Sequence, residues 1–62
     1  MKVLGKELRV GDTLQMIWTG HTATIKELQE YRGPFAFVSK IAVFLDGSRM
    51  SIDGERHYNR VE

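Results

Sequence analysis

The chain has no cysteine, a single proline, no apolar run long enough to span a bilayer and almost no net charge. Without cysteine there is no disulfide to staple the fold and no thiolate to act as nucleophile or metal ligand. In 62 residues, stability must then come from a hydrophobic core or from a partner subunit. The missing apolar run excludes a transmembrane helix, and the N-terminal segment meets Lys2 and Lys6 too early for a signal-peptide core, so a cytoplasmic protein that leaves membranes alone is expected. Nine Lys and Arg against eight Asp and Glu give a net charge of +1, with the signs interspersed. Sequence-independent affinity for nucleic acid comes from clustered cations, so it requires folding to gather them on one face.

Signatures of catalysis are missing as well. There is no Gly-x-Ser-x-Gly elbow, no Walker loop and no His-Glu-x-x-His, and the two histidines, His21 and His57, do not complete a zinc site. Asp12, Asp46 and Asp53 all lie beside glycine, where a carboxylate ordinarily accepts local backbone N–H groups. The expectation is a protein without enzymatic activity, metal or cofactor.

What is present reads as one β-rich domain over residues 1–62. Hydrophobic residues at 42% and charged residues at 27% suit a folded chain. Glycines at 5, 11, 20, 33, 47 and 54 fall at the spacing of short strands joined by turns. Residues 13–19 are rich in β-branched and aromatic side chains and put Leu14, Met16 and Trp18 on one face. A turn at Thr19-Gly20-His21 returns the chain into a second run with Ala23 and Ile25 inward. Residues 25–32 have two readings: a short helix before Gly33-Pro34, or, preferred, a strand that bends or bulges near Glu27-Leu28. Asp46-Gly47 between two strand-like runs predicts a two-residue hairpin turn, setting Val43 opposite Met50, Ile41 opposite Ile52 and, on the outer face, Phe44 opposite Arg49. Residues 57–61 make a last short strand, placed at an edge. Five antiparallel strands in meander order favour a small closed barrel, which hides its edges.

The run Leu8-Arg9-Val10-Gly11-Asp12-Thr13-Leu14 resembles the opening of SH3-like and KOW-like small barrels. In such barrels the final strand often packs beside the first, a part that Tyr58-Asn59-Arg60-Val61 suits. More loosely, Gly11-Asp12, Trp18, Tyr31-Arg32-Gly33-Pro34 and Met50-Ser51-Ile52 resemble positions in short bacteriophage and prophage proteins of unassigned activity. That likeness implies a viral or mobile-element origin, and hence a host cytoplasm.

Binding is the expected employment. Of six aromatic residues, a core this small buries about three or four, which leaves some for a contact surface. The segment 31–37 has the composition of an interface loop. The candidate residues for docking a host protein or a second copy are Tyr31, Arg32, Phe35 and Phe37, together with Phe44 and Arg49; the rival reading folds Phe35 and Phe37 back as a lid on the barrel. A second function class, binding of nucleic acid or a nucleotide, draws on Trp18, Arg49, Arg56, Tyr58 and Arg60, with rings to stack on bases and arginines for phosphate.

Overall fold

The spacing of Ile25 and Leu28 poses the main problem for a strand, because apolar residues three apart fall on opposite faces of regular β structure. The chain solves it with a bulge. In the computed structural model, which describes residues 1–16 and 19–61, Thr22–Glu30 is one long strand whose register against its neighbour shifts between Ile25 and Glu27. Lys26 is the extra residue. Ile25 pairs with Phe44 before the shift and Leu28 with Ala42 after it, so both turn toward the core while Glu27 stays outside. The expected bend is therefore present, and the helical reading of 25–32 is not.

Among the described residues, six strands form one antiparallel sheet: β1 (Lys2–Leu4), β2 (Thr13–Gln15), β3 (Thr22–Glu30), β4 (Val38–Phe44), β5 (Arg49–Asp53) and β6 (His57–Val61), with one 3₁₀ turn over Gly5–Glu7. Their order across the sheet is β1-β6-β2-β3-β4-β5. The fold is all-β as expected, but it is a curled half-barrel of six strands rather than a closed barrel of five. Two placements also change. The final strand, expected at an edge, lies between β1 and β2, and the edges are β1 and β5. The first long strand covers only Thr13–Gln15 of the 13–19 run; Trp18 lies outside the described residues.

The predicted hairpin exists, with a longer loop. The Phe44 N–H donates to the Ser48 carbonyl at 2.8 Å and the Gly47 N–H to the Phe44 carbonyl at 2.9 Å. The loop is thus Leu45-Asp46-Gly47, and only Gly47, at φ 89°, takes a left-handed backbone. A turn that ends in a left-handed glycine makes a three-residue loop, where a two-residue Asp-Gly turn needs positive φ at both positions. One extra loop residue shifts the pairing by one and exchanges the faces of β4, so that Ala42 and Phe44 replace Ile41, Val43 and Leu45 on the inner side, while Met50 and Ile52 stay inward as expected. Ala42 now faces Met50, Val43 faces Arg49 and Ile41 faces Ser51. Phe44 is 2% exposed in the core, while Leu45, with 67% exposed, takes the solvent position.

The core gathers Val3, Leu8, Leu14, Ile25, Ala42, Phe44 and Ile52, with Met16, Ala23, Leu28, Met50 and Tyr58 partly covering it. The curl is pinned at one end, where the Gly5 N–H donates to the Arg56 carbonyl at 2.8 Å and the Lys6 N–H to the Gly54 carbonyl at 3.1 Å. Gly5 is buried there, and any Cβ on it would collide with the Asp53 carbonyl and the Ile52 side chain. The three aspartates take the turn roles expected of them: each accepts a nearby backbone N–H, Asp12 from Arg9, Asp46 from Ser48 and Asp53 from Glu55.

Candidate binding surfaces

β3 stops at Glu30, and the connection that follows, through Gly33-Pro34, lifts two phenylalanines off the sheet. Phe35 is 57% exposed and Phe37 62%. Their ring centroids lie 5.7 Å apart at 41°, within the range of an aromatic pair. The Tyr31 ring folds back over Gly33, and its hydroxyl accepts the Phe35 N–H at 3.3 Å. The Val38 N–H closes the loop on the Phe35 carbonyl at 3.1 Å, and Val38 itself is buried. The two rings therefore project from a loop tied at both ends. They do not serve as a lid, because neither joins the core.

Arg32 stands beside them, ion-paired with Glu30 at 3.3 Å but with both side chains largely in solvent. A pair so exposed contributes about 0–1 kcal/mol and parts readily. Tyr31, Arg32, Phe35 and Phe37 thus share one loop. The other two partner candidates do not join them: Phe44 is in the core and unavailable, and Arg49 sits opposite Val43, at the far end of the β4–β5 hairpin from this loop.

A concave feature elsewhere on the sheet escapes any reading of the linear chain. Where β5 curls toward β6 and β2, a cleft of about 240 Å³ opens over Leu14, Met16, Met50 and Tyr58, with Arg56 and His57 among its lining residues. The Tyr58 hydroxyl accepts the Asp53 N–H at 3.1 Å, tying β6 to the end of β5. This surface exists only because β6 crosses back to lie beside β2, a pairing between residues more than forty positions apart.

The arginine set divides. Arg56 and Tyr58 share the cleft, whereas Arg60 stands 4.0 Å from Asp12 and donates to the Met1 sulfur at 3.3 Å. Arg49 belongs to β5. Among the described residues, no group of three or more His, Asp or Glu could hold a metal ion, and no helix is long and apolar enough to cross a membrane. Comparison with family models, curated proteins and solved structures finds no match to this chain.

Proposed function

We propose that the chain is a non-enzymatic binding module, an SH3-like variant of the curled antiparallel sheet, which docks a protein partner on the Phe35–Phe37 face. One observation carries the reading: two neighbouring phenylalanine rings stand more than half exposed on a loop whose backbone is held by Tyr31 and Val38. Covering rings so exposed recovers roughly 1–2 kcal/mol each, the scale of an interface hot spot. A loop already tied down loses little entropy on docking. Arg32, held only by a solvent-exposed pair, supplies a charged rim. Origin from a bacteriophage or prophage, action in the host cytoplasm and a host protein as partner belong to the same proposal and rest on the sequence likeness alone.

The test compares the parent with the Phe35→Ala/Phe37→Ala double variant. The variant is expected to melt within a degree or two of the parent, because neither ring is in the core, and to lose proteins that the immobilised parent retains from a host lysate. Retention of the same proteins by both chains, or unfolding of the variant, would sink the reading.

Binding of nucleic acid is the second reading, favoured by one observation: Arg56 and Tyr58 line the same cleft. It predicts affinity for single-stranded oligonucleotides at low salt that weakens steadily as salt rises. An oligonucleotide that does not bind at low salt excludes it.

A further inference from the structure

The hydrogen bond from the Phe44 N–H to the Ser48 carbonyl fixes the phase of the β4–β5 ladder. In antiparallel pairing, residues that exchange hydrogen bonds alternate with residues that do not. Met50 and Ile52 therefore bond back to Ala42 and Lys40, while Arg49, Ser51 and Asp53 turn their N–H and C=O groups to the open edge of the sheet. Asp53 is already served: its N–H goes to the Tyr58 hydroxyl and its carbonyl accepts the Arg56 N–H at 3.1 Å. Among the described residues, the outward groups of Arg49 and Ser51 meet no partner. Ser51 also lines the cleft, together with Met50 and Tyr58.

From this edge and its adjoining cleft we infer that β5 is a strand-addition site for an extended, acidic peptide of a partner protein. Such a peptide satisfies both halves of the site at once. Its backbone pairs with Arg49 and Ser51, and every second side chain drops onto Met50 and the apolar floor beside it. The 3₁₀ turn and Tyr58 close the slot at Asp53, so it admits a short segment from the Arg49 end. Charge selects the peptide: Arg49 belongs to the edge and Arg56 lines the cleft, and among the described residues neither forms an ion pair. The inference concerns a surface separate from the Phe35–Phe37 loop and stands or falls independently of it.

The probe is a fluorescein-labelled Glu-Val-Thr-Val-Thr-Val-Glu peptide, followed by anisotropy against the full chain. Saturable binding is expected, weakened roughly tenfold or more when alternate peptide amides are methylated, because each methyl group removes a backbone hydrogen bond to the β5 edge. Ser51→Pro, which deletes an outward donor and leaves the β4 ladder intact, is expected to weaken binding similarly. Amide exchange at Ser51 slows on peptide addition, a readout that needs no variant. The inference is overturned by absence of binding, by equal affinity for the N-methylated peptide, or by equal affinity for the peptide with Lys in place of Glu. Light scattering that finds a dimer dissociated by Ser51→Pro would overturn it too, by giving the edge to a second copy.

Discussion

Single side chains set the tolerances of this fold, and Gly5 sets the tightest. It is buried where the 3₁₀ turn meets the end of β5, with the Asp53 carbonyl in the position a Cβ would take. Backbone cannot yield there as a flexible side chain would. Gly5→Ala is expected to cost about 1–3 kcal/mol, read as a lowered urea midpoint with an unchanged slope. Asp46 governs a different variable. The Ser48 hydroxyl at 2.6 Å, and secondly the Ser48 N–H at 2.9 Å, donate to its carboxylate and hold its pKa below the ordinary value of 3.8. A group depressed on folding stabilises the native state at pH above its unfolded pKa, and that contribution fades as pH falls through the folded pKa. Urea midpoints should therefore drop on acidification below about pH 4, and Asp46→Asn should drop less steeply, since the amide oxygen keeps the hydrogen bonds without titrating. A parallel fall in both proteins would show that this carboxylate contributes nothing to the acid response.

Between residues and fold lie the strands, where one added residue decides a face. Leu45 in the loop, rather than paired, is what sends Phe44 inward. Deleting Leu45 leaves Asp46-Gly47 as a two-residue turn and keeps Phe44 beside Ser48. The shortened chain is expected to retain its register, with stability within about 1 kcal/mol of the parent; nuclear Overhauser contacts between Val43 and Arg49 check this. Loss of those contacts would mean that the three-residue loop itself holds the pairing. The same comparison shows what could be read in advance. Asp-Gly between apolar runs announces a hairpin, and Thr22 to Glu30 announces a strand with a fault in it, because both signals are local. Loop length was not legible, since two- and three-residue loops use the same dipeptide and only the competition of Phe44 and Leu45 for the core decides between them. Phe35 and Phe37 were visible as candidates, but their exposure depends on how the 31–37 loop is tied. β1 carries no local signal at all: three residues, Lys2–Leu4, become a strand only because His57, Tyr58 and Asn59 lie beside them. The cleft was invisible for the same reason.

The whole molecule has little stability to spare. A chain of this size without disulfides draws only a few kcal/mol from its core. The segment 1–7 supplies Val3 to that core, the edge strand beside β6 and the bonds that pin the curl. Removing it takes away a buried side chain worth roughly 1.5–3 kcal/mol together with the closure of one end. The truncated chain is expected to be unfolded at room temperature, seen as collapse of amide chemical-shift dispersion. A dispersed spectrum would show that β2 to β6 fold alone.

The position of β6 between β1 and β2 also sets an order of events. While the chain is being synthesised, β2 to β5 can pair with their neighbours as soon as each appears, but β1 has no neighbour until residues 57–61 arrive. β1 therefore waits for a partner more than fifty residues further along the chain. Until then the nascent chain carries raw edges on either side of a half-built sheet, and the cleft beside Tyr58 has no far wall. The cleft wall that includes Tyr58 is thus completed only when β6 pairs with β2, whereas the outward edge of β5 is open as soon as β4 and β5 have paired.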